Sequence, residues 1–365
     1  MTKTTGWLAL AASLSATTSM AGGIDRSALG YGILFQDGRT VEFNLMQVTP
    51  NVKGTYVARL GGGSTGNMAQ SYSALSFGFK DDITDKLSYA IVLGQPIGAD
   101  AKYTGGPYTG LEAHWRTEEL TALLKYRIDG GASVFGGLRY LNSSANIVIP
   151  PALVGSTYTA RTASDAKLGY IVGAAYEKPE IALRVALTYT SEVTHNFNTT
   201  EQHPAITGGA PLTSVTDIVL PQTLTLDAQT GIAADTLLFG SIRWAQWSRW
   251  HVKPVGYSGL SRGQEITGFG HDVITYTLGL GRKINDHLSV FGALGYERAT
   301  GGVASRLAPT DGMKSISLGA VWTEGKAKIT AGVQYQMLGN AVDGSGTRFT
   351  GNSVLGVGIK VAYSF

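Results

Sequence analysis

The last thirteen residues, SVLGVGIKVAYSF (353–365), alternate without a break: Leu355, Val357, Ile359, Val361, Tyr363 and Phe365 share one parity, and Gly356, Gly358, Lys360, Ala362 and Ser364 the other. Successive side chains of a strand point to opposite faces, so this is one apolar face backed by one small or polar face. An aromatic final residue gains nothing unless that face rests against something greasy. Beyond the N-terminus, no segment supplies the roughly 20 uninterrupted apolar residues of a membrane helix. If the chain sits in a membrane, it does so as a closed barrel, the other structure that satisfies every backbone group in lipid.

The same parity recurs upstream. Leu120, Ala122, Leu124, Tyr126 and Ile128 alternate with Thr121, Leu123, Lys125 and Arg127, and Ile181, Leu183, Val185, Leu187 and Tyr189 alternate with Ala182, Arg184, Ala186 and Thr188. Ile274, Tyr276, Leu278 and Leu280 repeat it against threonine and glycine. The polar faces carry Gly, Thr and isolated charges, which suits a wet lumen, whereas a soluble sandwich would be rich in outward Lys and Glu. Tight connections with Gly, Pro, Asn or Asp chemistry fall at 81–85, 129–131, 178–180, 233–235, 284–287 and 324–326. Long ones fall at 54–68, 96–110, 142–165, 195–217, 250–269, 299–312 and 339–351. Six short turns and seven long loops make 13 connections and hence 14 strands, the layout of a bacterial outer-membrane barrel. Closure requires the last strand to pair with the first, around TVEFNLMQV (40–48). Tyr363 and Phe365 then stand at the periplasmic aromatic girdle, where a C-terminal strand presents its signal to the barrel-assembly machinery.

Composition removes other classes. Only 15% of residues are charged and the balance is +3, which leaves no concentrated basic face for nucleic acid. The absence of cysteine excludes disulfides and thiolate sites, and the six histidines show no metal-ligand spacing and read as surface residues, so no cofactor is expected. The N-terminus has Lys3, an apolar stretch from Trp7 to Leu14, and small residues Ser19 and Ala21, which reads as a signal peptide over 1–21. Residues 22–39 precede the first strand, and 40–365 form the barrel.

The stretch LPQTLTLDAQTGIAADTLLFGSIRWAQWSRW (220–250) resembles the FadL/TodX family of outer-membrane transporters for long-chain fatty acids and aromatic hydrocarbons: a Leu-Pro strand, a tight turn, then a Trp-containing strand. The strand count and the C-terminal aromatic agree with that resemblance. It implies a monomeric, all-β, 14-stranded antiparallel transmembrane barrel in the outer membrane of a Gram-negative bacterium, with an N-terminal hatch in the lumen. It further implies capture of apolar substrate between extracellular loops and lateral exit at a deformed third strand. Residues 22–39 contain no Asn-Pro-Ala stretch, so the hatch is shorter than the family pattern.

Three groups of residues are candidates for the transport path. The third long loop carries Ile147, Val148, Ile149, Leu153 and Val154, and the next carries Ala205, Ile206 and Leu212. Apolar clusters in water-facing loops mark interaction sites, and the resemblance places a hydrophobic docking groove there. In the third strand, Gly94 and Pro96 interrupt the alternation, and proline cannot donate a ladder bond, so a gap in the wall is expected. Lumen-parity charges are Glu42, Lys125, Arg127, Arg139, Arg184, Glu192, Asp227, Arg243, Glu297 and Lys360. Bases outnumber acids, so a cation is free for a carboxylate ligand; Arg243, in the family-like stretch, and Lys360, the single charge of the last strand, are the first choices.

A general diffusion porin is the alternative, and it calls for a polar constriction loop where these loops are apolar. An enzyme needs a nucleophile, base and orienter converging on one face. His271 and Asp272, the nearest pair, are strand neighbours that face opposite ways. GGGSTG (61–66) fits a dinucleotide pattern but lies in a loop with no following helix.

Overall fold

The computed structural model describes residues 23–26 and 31–365, so the signal peptide and its expected cleavage after Ala21 lie outside the described residues. Fourteen strands form the wall: β1 (Thr40–Asn51), β2 (Tyr72–Asp82), β3 (Leu87–Gly94), β4 (Glu112–Arg127), β5 (Ala132–Ile149), β6 (Asp165–Lys178), β7 (Leu183–Thr190), β8 (Thr223–Ala233), β9 (Thr236–Ala245), β10 (Val273–Lys283), β11 (Leu288–Glu297), β12 (Met313–Glu324), β13 (Ala327–Leu338) and β14 (Ser353–Ser364). Each pairs antiparallel with the next, and β14 closes on β1 from Thr40↔Ser364 to Asn51↔Ser353. The closed ring leaves no edge strand in lipid. The backbone N–H of Phe365 donates to the Arg39 carbonyl at 2.9 Å, so the final residue is held at the seam. All six short turns fall between the strands where Gly, Pro, Asn and Asp placed them. Gly130, for example, turns the β4–β5 hairpin at φ 84°, a conformation that side chains with a Cβ avoid.

The outer face of the lower barrel is apolar and exposed: Leu120, Leu124 and Tyr126 on β4, Val134, Leu138 and Tyr140 on β5, and Leu355, Val357, Ile359, Val361 and Tyr363 on β14, with Phe365 just after it. In water such a surface would aggregate, so this band is the lipid contact.

Along β4 and β5 the polarity then inverts while the parity stays fixed. Outward positions change from Leu120 and Tyr140 to the paired Glu118 and Asn142, and then to Arg116 and Ser144. Inward positions change from Lys125 and Arg139 to Trp115, Leu141, Ile147 and Ile149. The hairpin therefore leaves the lipid between these two register levels and continues into water with an apolar interior.

That inversion corrects two expected loops. The segment 142–165 is not a loop from its start, because β5 runs to Ile149 and Tyr158–Thr162 pairs with it. The segment 195–217 is largely a hairpin, Val193–Gln202 against Leu212–Leu220, joined to Tyr158–Thr162 through Thr199↔Thr162. A parity test tuned to outward apolar residues fails where the outside is Thr194, Asn196 and Asn198 and the buried face is Val193, His195 and Phe197.

Inside the lower barrel, a short helical turn, Tyr31–Phe35, packs Ile33 and Leu34 against inward residues including Ala90, Leu123, Phe135 and Ile171. Gly78 admits it, since a Cβ there would strike Ile33. Phe35 meets Phe135 edge-to-face at 5.8 Å, and the Lys125 ammonium and Arg184 guanidinium lie over its ring at 4.3 and 4.7 Å.

Candidate functional site

The third strand is deformed at Gly94 and Pro96. Pairing of β2 with β3 ends at Ser76↔Gly94, although β2 continues along β1 to Tyr72. On the other side, β3 pairs with β4 up to Gly94↔Glu119, and the strand resumes as Gly98–Lys102 from Gly98↔Arg116. Gly94 to Gly98 thus spans one residue more than Glu119 to Arg116, a bulge that turns the backbone away from β2. Pairing between the two sides returns above it, where Gln70 N–H donates to Asp100 O at 2.9 Å and Lys102 N–H to Met68 O at 2.7 Å. Between these levels the hydrogen-bond ladder of the wall is broken, at the height where β4 passes from Leu120 to Glu118 and so at the edge of the lipid band.

The N-terminal segment lies against that break. Arg26 N–H donates to Pro96 O at 2.7 Å and Gly98 N–H to Ile24 O at 2.9 Å, so a short antiparallel bridge joins the segment to the bulge. Proline has no N–H and leaves its carbonyl to accept. The Arg26 guanidinium pairs with Asp100 and sits 4.2 Å from the centre of the Tyr72 ring, spanning the two sides of the broken ladder. Gly98 makes room for it, because a Cβ there would overlap the Arg26 side chain.

Arg243 and Lys360 are corrected as free cations: both are already matched. Arg243 pairs with Asp25 at 2.8 Å, and Lys360 stands 3.8 Å from Glu42. Lys125 pairs with Glu177 at 3.3 Å, and Arg139 forks onto Glu119 at 2.8 and 2.6 Å. Glu192 faces outward toward Arg249 rather than into the lumen. The charge excess disappears once Glu119, Glu177 and Asp25, all absent from the strand-by-strand count, are added; Asp25 comes from the N-terminal segment, far from Arg243 in sequence.

The predicted docking residues divide. Ile147 and Ile149 are buried in the strand end and Val148 is half-buried beside them, so they do not form an exposed loop cluster. Leu153 and Val154, on the helical turn Pro151–Val154, are half-buried and meet the next predicted loop directly. His203 Nε2–H donates to Val154 O at 3.2 Å, and its Nδ1 accepts from Ala205 N–H at 3.1 Å, which fixes the tautomer. Ile206 packs with them, Ala205 is exposed, and Leu212 begins the returning strand half-buried. Beneath lies an aromatic assembly, Phe197, Trp115, Trp250, Trp247 and Phe269, with successive ring centres 5.6, 6.1, 6.3 and 5.4 Å apart.

The sequence reading missed the buried residues beneath these loops. His195 and His203 are buried, not surface histidines; the alternation Val193, His195, Phe197 was the available signal. Glu201 is buried too, accepting from Tyr158 Oη at 2.7 Å and from the N–H groups of Gly256 and Tyr257 at 2.9 and 2.7 Å, which ties the connection after β9 to the hairpin. Asp272 is a structural acceptor for Trp244 Nε1–H and Ser248 Oγ–H, at 3.1 and 2.5 Å. Among the described residues no group of His, Asp and Glu is arranged to hold a metal.

Solved structures with this architecture include a Pseudomonas aeruginosa FadL homologue, 14% identical, with a TM-score of 0.73 over 97% of this chain and 94% of that one. The Pseudomonas putida toluene transporter TodX is 13% identical, with a TM-score of 0.64 over 96% and 98% of the two chains. The Ralstonia pickettii toluene transporter TbuX is likewise 13% identical, at 0.62 over 90% of each. No curated protein matches in sequence. Residues 31–355 match the family model described as outer membrane protein transport protein (OMPP1/FadL/TodX). A closed barrel with an apolar belt and a match over most of its length make this chain a member of the OMPP1/FadL/TodX family of outer-membrane transport proteins.

Proposed function

We propose that the chain takes up small apolar molecules across the outer membrane, capturing them at the extracellular loops and releasing them sideways through a window beside Gly94 and Pro96. The observation that carries this reading is the break in the wall: a bulge at the lipid edge, spanned by Arg26 and covered by a segment joined to it by a short bridge and tied to the barrel by two ion pairs. An opening at that level leads into lipid, the natural destination of an apolar solute. The segment before β1, with its turn at Tyr31–Phe35 among inward residues, serves as the hatch in this reading, and uptake is passive. The names of the similar structures agree in chemistry, two being toluene transporters and a third a monoaromatic hydrocarbon channel. The aromatic assembly under Leu153 and Val154 suits fatty acyl chains and monoaromatic rings alike, which bury apolar area without needing hydrogen bonds.

Uptake of labelled toluene and labelled oleate by a transporter-deficient bacterium expressing the protein tests the reading against an empty vector. Faster entry of at least one substrate is expected. Leu153→Asp with Val154→Asp is expected to reduce that gain several-fold while the barrel still assembles, because two carboxylates at the loop junction make apolar contact costly. Unchanged uptake in the double variant would remove the docking role, and no gain from an assembled wild-type barrel would overturn the transport reading.

A further inference from the structure

The helical turn Tyr31–Phe35 occupies one side of the lower lumen. Ile33 and Leu34 cluster with inward residues of β3 to β7, and among the described residues that cluster takes none from β8 to β14. On the opposite wall the inward side chains stay uncovered. Asp227 on β8 is exposed, and Ser241 and Arg243 on β9, Gln334 on β13, and Asn44 on β1 are half-buried. Their chain neighbours Leu226, Ile242, Val333 and Phe43 carry the lipid face, so these polar side chains gain their exposure from space inside the barrel. Glycine bares the same wall: a Cβ added at Gly356 or Gly358 on β14 would find its nearest neighbours at 4.0 and 3.7 Å, both backbone oxygens. Towards the loops the exposure ends, since Gln336 on β13, Ser315 on β12 and Val48 on β1 are buried at the same parity. Towards the periplasm it persists: Met46, Asn44 and Glu42 are half-buried in succession along β1, and so is Lys328 near the start of β13.

Resting on the uptake reading above, we infer that this half of the lumen is a hydrophilic vestibule open to the periplasm, and that it gives aromatic carboxylates an axial exit. Its ceiling is the N-terminal segment: Arg243, half-buried at the top of the polar wall, holds Asp25 at 2.8 Å, and Asp25 is the bridge partner of Ile97 beside the broken ladder. The one displacement that the uptake reading requires therefore uncovers two ways out. A hydrocarbon gains by leaving sideways into lipid. An ionised carboxylate does not, because lipid strips its hydration, whereas the vestibule offers it hydroxyl, amide and guanidinium groups all the way down. Asp227 and Glu42 share the wall with Arg243 and Lys328, so the path is polar in both signs rather than a fixed anion site.

The chain has no cysteine, so single-cysteine variants probe the vestibule without background. In detergent micelles, which cover the lipid belt, Ser241→Cys and Gln334→Cys are expected to react with a negatively charged methanethiosulfonate about tenfold faster than Ser315→Cys, whose site is buried. Equal rates at the three sites overturn the vestibule, whatever the protein transports. Labelled benzoate and toluene, which differ by carboxylate for methyl, are compared for entry into porin-deficient cells, with empty-vector entry subtracted and assembly checked by heat-modifiable migration. Wild type is expected to speed both. Gly356→Phe with Gly358→Phe, which fills the open space at β14, is expected to cut the benzoate gain about fivefold while the toluene gain stays within twofold. Gly356→Leu alone carries the test if the double variant does not assemble. A toluene gain without a benzoate gain overturns the axial exit, and so does an equal loss of both solutes in the filled barrel. If wild type speeds neither solute, the uptake reading itself falls and the axial exit with it.

Discussion

Glu119→Ala is expected to lower the unfolding free energy of the barrel by about 3–5 kcal/mol, the cost of stripping the partner from a buried charge. Glu119 and Arg139 are almost wholly buried on neighbouring strands, their two bonds at 2.8 and 2.6 Å. Glu119 also accepts from Thr121 Oγ1–H at 2.7 Å and stands opposite Gly94, where the wall begins to deform. Without it, the Arg139 guanidinium loses its carboxylate partner and keeps the weaker neutral contacts, among them a 3.4 Å one to the Ser191 carbonyl. Replacing both partners by methionine is expected to recover much of the loss, because the uncompensated charge disappears along with the pair. Urea midpoints of the refolded variants in lipid vesicles, followed by tryptophan fluorescence, measure both effects. A Glu119→Ala midpoint equal to wild type would mean that lumen water already screens the pair.

The barrel was legible where the lipid imposes its rule. Each spanning strand must show apolar residues on one parity, so Leu120 to Ile128 and Leu355 to Phe365 declare their orientation, and turns such as DGG and INDH mark where each hairpin ends. Above the lipid the rule reverses at fixed parity. Ile147 and Ile149 then read as an exposed cluster although they line an interior, and the strand carrying His195 reads as a loop. Gly94 and Pro96 gave the position of the wall's deformation because a missing donor and a missing side chain are visible in the sequence. Its cover was not legible: Ile24 to Arg26 is too short to carry a period, and the pairing of Asp25 with Arg243 follows from closure of the whole ring. For the same reason, a count of lumen charges along the strands left Arg243 without the partner that the N-terminal segment supplies.

The account turns on whether the N-terminal segment must leave the window for solute to pass, and one engineered bond tests this. Asp25 and Ile97 face each other as bridge partners flanked by two backbone hydrogen bonds. Such a pair brings its Cα atoms to about 4.5 Å, within the roughly 4.4–6.8 Å that a disulfide spans. The chain has no cysteine of its own, so Asp25→Cys with Ile97→Cys creates a single thiol pair. The variant also loses the contact of Asp25 with Arg243, but its oxidised and reduced forms share that loss and are compared with each other. Labelled toluene uptake is measured in cells treated with oxidant and again after a reductant. With the bond closed, uptake is expected to fall to the empty-vector level, and reduction is expected to restore it. Equal uptake by the two forms would contradict lateral exit beneath a movable N-terminal segment.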